Sequence, residues 1–131
     1  ILDDGTFLFS SVGTSKGGGP NSHDENVALF TPTSLGANSG GSWELFFDGS
    51  DVGFNTNNGE DLNAISLDFD GTLLFSTVGS YAGAGSTGND EDVSRFSGTF
   101  GAATSGTAQL ILDLTALGIS SSEDVDALSI R

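Results

Sequence analysis

Short apolar blocks alternate with glycine-, serine- and asparagine-rich stretches along the whole chain. Inside the blocks the apolar positions follow a two-residue period. "TFLFS" sets Phe7 and Phe9 on one side of an extended backbone and Leu8 on the other. "WELFFD" gives Trp43, Leu45 and Phe47 one face with Phe46 opposite, and "AQLILDL" sets Leu110, Leu112 and Leu114 against Ile111. No stretch longer than one turn keeps a 3.6-residue apolar period with caps, so the pattern predicts strands throughout and essentially no helix. Apolar residues on both faces predict sheets covered on both sides, because a sheet half open to water alternates more cleanly.

The blocks recur. Sliding the sequence by 66 residues places Asp4, Gly5 and Thr6 on Asp70, Gly71 and Thr72, and Leu8, Phe9 and Ser10 on Leu74, Phe75 and Ser76. Asp24, Glu25, Val27 and Phe30 fall on Asp90, Glu91, Val93 and Phe96 in the same register. After small indels Leu45 and Asp48 match Leu110 and Asp113, and "EDLNAISL" from Glu60 matches "EDVDALSI" from Glu123. Self-similarity over nearly the whole length predicts two tandem units of about 65 residues, 1–66 and 67–131, with four strands in each. In the second unit "NAISL", within 62–67, runs into "TLLFSTV" through "DFDG", whose Asp-Gly pair supplies the positive φ of a tight hairpin turn. The Gly-rich loop "GSYAGAGSTGNDED" then leads to "VSRFS", and a Gly/Ser/Thr segment to "AQLILDL". The first unit lacks its opening strand, while a spare copy, 126–131, ends the sequence. The spare strand is therefore predicted to pair beside Thr6–Ser10, because a bare sheet edge invites aggregation.

Repeated four-stranded antiparallel sheets covered on both faces are the blades of a β-propeller. The succession of "DALSI", an Asp-Gly turn and "TLLFS" resembles the inner strands of β-propeller-like tandem repeats of secreted bacterial proteins. The resemblance covers only the opening strands of each unit, and no Trp-Asp signature is present. It implies an all-β fold of two tandem four-stranded antiparallel units, propeller-like blades with split-strand closure. Two blades are too few for a ring, so the spare strand is expected to pair with another copy in a head-to-tail homo-oligomer, three copies giving six blades. Two alternatives stay open. The chain reads equally as an excerpt of a longer array, or as a pseudo-two-fold β-sandwich that pairs 1–4 near 126–131.

Composition narrows the partners. Three basic residues against eighteen acidic ones give a net charge of -15, which argues against nucleic acid and against an anionic membrane surface and favours cation binding. A solvated acidic surface or adaptation to salt explains the charge as well. No run of eighteen apolar residues exists, so no membrane insertion is expected. Cysteine is absent, which removes disulfides and thiolate metal sites. The start at Ile1 reads as processed, excised or recombinant. Little lysine, no methionine and much Gly, Ser, Thr and Asn resemble secreted bacterial repeat proteins, so a secreted or cell-surface location is expected. Twenty glycines would suit disorder, but ten phenylalanines in short blocks suit a packed core.

Little of the chemistry of enzymes is present. His23 is the sole histidine and its repeat partner is Asn89, so neither a His-based zinc cluster nor a repeated triad can form. No nucleophile elbow occurs, the Gly-rich loops precede no helix, and Lys16, Arg95 and Arg131 have no basic counterparts. No enzyme is expected. What repeats is acidic. Asp24, Glu25 and Asp90, Glu91 close the Gly-rich loops, and Glu60, Asp61 and Glu123, Asp124 precede the next strands. In a four-stranded blade these loops share a rim, which brings the two pairs together. Acidic, Gly-rich loops offer the carboxylates, carbonyls and Asn oxygens that calcium takes, and Asp48 and Asp51 extend the candidate ligand set. Strand and loop capping by the same carboxylates is the competing reading. "LDFDG" imitates the start of an EF-hand loop, but the hairpin turn accounts for it. Tyr81, in the Gly-rich loop, is the candidate stacking residue for a glycan, while Trp43 is expected in the core. Two functions follow: a secreted, calcium-stabilised structural or adhesive module, or a lectin-like binder using the acidic rim.

Overall fold

The Asp-Gly turns form where their residues demand. Asp70 Oδ1 accepts hydrogen bonds from the backbone N–H (3.0 Å) and hydroxyl (2.7 Å) of Thr72, and Gly71 takes the left-handed conformation at φ 81. Asp4, Thr6 and Gly5 repeat the arrangement at 2.9 and 2.7 Å, with φ 85 at the glycine. Around each turn two further backbone bonds recur, Gly5 N to Leu2 O and Gly71 N to Asp68 O at 2.9 Å, and Leu2 N to Thr6 O and Asp68 N to Thr72 O at 2.8 Å. These bonds hold the carboxyls of Asp4 and Asp70 below the ordinary carboxylate range, through the threonine hydroxyl first and its amide second.

The computed structural model describes residues 1–2, 4–14, 23–54 and 59–130. They are all-β, with antiparallel sheets and no α-helix; accordingly no helix is long and apolar enough to cross a membrane. One sheet has three strands in the order β1 (Phe7–Phe9), β2 (Val27–Ser34), β3 (Gly40–Phe47). A second sheet has four, a meander of β4 (Leu62–Leu67), β5 (Leu73–Thr77), β8 (Val93–Thr99) and β9 (Ser105–Leu112). A separate hairpin, β6 (Tyr81–Gly83) and β7 (Ser86–Gly88), lies between β5 and β8 in sequence.

That hairpin occupies a stretch expected to be loop. Its two central residues, Ala84 at φ 52 and Gly85 at φ 78, both lie in the left-handed region, as a two-residue primed turn needs. Tyr81 anchors it, stacking on Phe54 at 5.4 Å and meeting Phe75 edge-on at 5.3 Å. β9 ends two residues before the expected "AQLILDL" boundary. There Asp113 Oδ1 accepts from Thr115 Oγ1 (2.6 Å) and Ala116 N (3.0 Å) and opens a 3-10 turn over Thr115–Leu117. Asp48 does the same for Ser50–Val52, accepting from Ser50 N at 3.2 Å and Ser50 Oγ at 2.7 Å.

The core lies where the end of the first sheet meets the second. Phe47, Phe54, Leu62, Leu73, Phe75, Tyr81 and Phe96 form one buried cluster with Val27 and Ala84. Backbone bonds fix the junction: Gly101 N donates to Phe46 O at 2.7 Å, Asp48 N to Thr104 Oγ1 at 2.9 Å, and Thr104 N to Asp51 Oδ2 at 2.9 Å.

Two expectations change. The first sheet is not covered on both faces: Phe9 is 45 % exposed and Phe7, Phe30 and Trp43 are half-buried, because the two-residue period fixes which residues share a face but not what covers it. The spare segment 125–130 takes no place in a sheet, and β1 pairs only with β2. Leu128 and Ile130 are half-buried, like Ile65 and Leu67, and line a cavity of ≈ 570 Å³ with Leu2, Leu8 and Ile65. The segment lines this cavity together with Leu8 of β1 and has no backbone ladder.

In both sheets a phenylalanine ring crosses a glycine. A Cβ built at Gly106 would collide with the Ser97 carbonyl and come within 2.7 Å of the Phe96 ring, and one at Gly41 would collide with the Thr31 carbonyl and come within 2.6 Å of Phe30. Gly106→Ala is expected to destabilise by roughly 1–3 kcal/mol, the usual cost of overpacking. Thermal unfolding checks it; an unchanged melting temperature would mean that β8 and β9 part without cost.

Candidate functional site

The acidic loops are brought together in pairs by matching backbone bonds. Leu62 N donates to Asp24 O at 3.1 Å, and Val125 N donates to Asp90 O at 3.0 Å. Each pair forms the centre of a tight turn: Asn26 N to His23 O (3.0 Å) and Asp92 N to Asn89 O (3.1 Å). Each junction thus places a "DE" loop beside the segment that follows an "ED" pair.

At the first junction Glu25 is 1 % exposed and Asp61 is buried. Gly49 lies directly on Glu25, where a Cβ would approach its side chain to 2.8 Å, and Gly49 N donates to Asn26 Oδ1 at 2.8 Å. Asp24 Oδ1, Glu25 Oε2 and Asp61 Oδ1 are buried without a hydrogen-bond partner. Burial pushes the Glu25 carboxyl up, and contact with the Asp24 carboxyl pushes it further. Burial likewise raises Asp61, with the Asp24 charge second. Three carboxyls crowd one junction.

The second junction gathers Asp90, Glu91 and Asp92. Glu91 is 1 % exposed, and neither of its carboxylate oxygens has a partner. The proximity of its own backbone amide lowers its carboxyl, but burial, contact with Asp90 and the charges of Asp92 and Asp90 outweigh that and leave it raised. Asp92 Oδ2 accepts from Asn89 N at 2.9 Å while its Oδ1 is unpartnered, and Ser76 Oγ donates to Asp92 O at 2.7 Å.

The other acidic candidates hold the fold together. Glu60 Oε1 accepts from Ala82 N at 3.1 Å and ties down the β6–β7 hairpin, while its counterpart Glu123 is exposed. Asp124 accepts from Asn63 Nδ2 at 2.7 Å. Asp48 and Asp51 accept the turn and junction bonds given above. Tyr81, expected as an exposed platform, is a core residue: it is 4 % exposed, both neighbours of its ring are aromatic, and its hydroxyl bonds to Ser94 Oγ. His23 is an exposed loop residue, Arg95 pairs with Asp68 at 2.7 Å, and Lys16 and Arg131 lie outside the described residues. Asp92, carried by "GNDEDV", is not among the repeated acidic pairs because its repeat partner is Asn26.

Among the described residues the side chains crowded at these junctions are carboxylates, with the His23 imidazole beside the first; oxygen donors suit a hard cation, and the orphaned buried carboxylate oxygens are the atoms such a cation would satisfy. Among the described residues no group of three or more His, Cys, Asp or Glu side chains is arranged to hold a metal ion, so closure would need the carboxylates to move or carbonyls to join. Compared with known protein families, curated proteins and solved structures, the chain matches none.

The raised carboxyls set a pH dependence. Glu25, Asp61 and Glu91 bind protons more tightly folded than unfolded, so above their unfolded values of 4.5, 3.8 and 4.5 stability falls as pH rises through their raised folded values. Asp4, Asp70 and Asp113 are lowered, so their contribution is lost as pH falls below 3.8 towards their folded values. In chelator the melting temperature should therefore rise as pH is lowered through the raised folded values and turn down again below 3.8. A curve that falls monotonically from pH 7 would contradict the crowded junctions.

Proposed function

We propose that the chain is a non-catalytic all-β repeat module with a structural or adhesive role outside the cell, stabilised by calcium at its two acidic junctions. The observation that carries the reading is the presence of Glu25 and Glu91 at equivalent places, each 1 % exposed, with Glu25 Oε2 and both carboxylate oxygens of Glu91 lacking a hydrogen-bond partner. Burying an ionised carboxylate without a partner costs several kcal/mol, so such a group either holds a proton or meets a cation. Calcium accepts six to eight oxygens in flexible geometry, including carbonyls, and tolerates loops that close around it.

The propeller-like arrangement of two tandem units belongs to the same reading. The β4–β5–β8–β9 meander and the hydrogen bonds that recur 65 or 66 residues apart support it. Nothing favours the lectin-like alternative, whose stacking residue Tyr81 is in the core. Thermal unfolding at neutral pH in chelator and in millimolar calcium tests the reading: calcium should raise the melting temperature, and identical curves would leave the carboxylates as protonated caps.

A further inference from the structure

The junction between the two sheets is a template whose two halves recur elsewhere on the molecule. Phe47 packs edge-on against Phe96 at 5.0 Å, Phe54 against Phe75 at 5.7 Å, and Phe46 stacks on Phe100 at 4.6 Å. The repeat gives each side a counterpart. For the inserting residues Phe46, Phe47, Val52 and Phe54 these are Ile111, Leu112, Leu117 and Ile119, which are 43, 39, 68 and 44 % exposed. For the receiving residues Leu73, Phe75, Phe96 and Phe100 they are Phe7, Phe9, Phe30 and Leu35, which with Trp43 line an open cavity of ≈ 510 Å³.

The receiving loop already has the geometry of its filled counterpart. Gly36 and Gly101 share one left-handed conformation, φ 106 and 105. Ser39 Oγ donates to Gly36 O at 2.7 Å as Thr104 Oγ1 donates to Gly101 O at 2.7 Å. The volumes also compensate. The filled site packs Ala108 against the cluster that holds Phe47 and Phe54; the open one has Trp43 at the equivalent position, and the counterparts Leu112 and Ile119 are smaller than the two phenylalanines. Cores tolerate such volume-conserving exchanges best.

We propose that the aromatic face of the first sheet binds the Ile111–Ile119 segment of a second copy of this chain, head to tail. Leu112 and Ile119 enter against Phe30 and Phe9, Ile111 lies on Leu35, and the Ile111 carbonyl accepts from the Gly36 N–H. The two surfaces differ, so the contact is heterologous and propagates into a ring or a filament. Two exposed apolar patches on one molecule, each complementary to the other, are the mark of such a contact. The inference rests on the repeat correspondence used above and not on calcium, and the calcium experiment reads unfolding where this one reads association, so either can fail alone.

Sedimentation velocity tests it, at increasing protein concentration in ~0.5 M salt, where the Debye length falls to a few ångströms and repulsion between acidic copies is screened. The native chain should associate. Leu112→Asp and Leu35→Asp should each abolish association while keeping the native melting curve, with Ile119→Asp and Phe9→Asp as substitutes if either fails to fold. Mixing the two variants should restore one-to-one dimers that grow no further, since each retains the half that the other lost. A native chain that stays monomeric at millimolar concentration, single variants that still assemble, or a mixture that stays monomeric would overturn the proposal. So would a monomer retained on a polysaccharide column through Phe9 and Trp43, which would make the face a sugar platform.

Discussion

Phe47→Ala is expected to destabilise the fold by about 3–5 kcal/mol, the range for deleting a fully buried phenylalanine. The ring is 0 % exposed and sits between Phe54 and Phe96, at 6.1 and 5.0 Å, so its removal opens a void that neither sheet can collapse into alone. It also loosens the strand end where Gly101 N bonds to Phe46 O at 2.7 Å, the backbone link between the sheets. The matching change Leu112→Ala, at the equivalent but exposed position, should cost under about 0.5 kcal/mol in the monomer, as surface substitutions do. Equal losses at the two sites would show that the core is not at this junction. Denaturant unfolding at low protein concentration, which keeps copies apart, gives both values.

The second large effect is that of calcium. A ligand that binds only the folded chain stabilises by about 2.7 kcal/mol at a hundred times its dissociation constant, for each site. Glu25→Gln and Glu91→Gln should each remove one share of that gain, since an amide keeps the shape and loses the charge. In chelator at neutral pH the same variants should be at least as stable as the native chain, because each removes a buried charge whose carboxyl is raised by its surroundings. Simple capping carboxylates would behave in the opposite way and lose stability in chelator. The two accounts thus differ in sign.

Much of this was legible in the sequence. The "DFDG" turn, the strand faces and the meeting of "DE" with "ED" loops follow from local turn chemistry and from the repeat, which act over few residues. What was not legible depends on contacts between distant ones. "YAGAGSTG" has weak strand preference and forms a hairpin because Tyr81 lands on Phe54 and Phe75. Phe9 and Trp43 share a face by periodicity, but their half-open state is set by what lies over the sheet. Segment 125–130 keeps the alternation of a strand, with Leu128 and Ile130 half-buried, yet no ladder forms on it.

Isothermal titration of the native chain with calcium, at neutral pH and with Glu25→Gln and Glu91→Gln in parallel, tests the central claim most directly. Saturable binding is expected at two sites per chain, one lost in each variant and both lost in the double variant. Absence of binding up to millimolar calcium, or binding that neither variant alters, would contradict it.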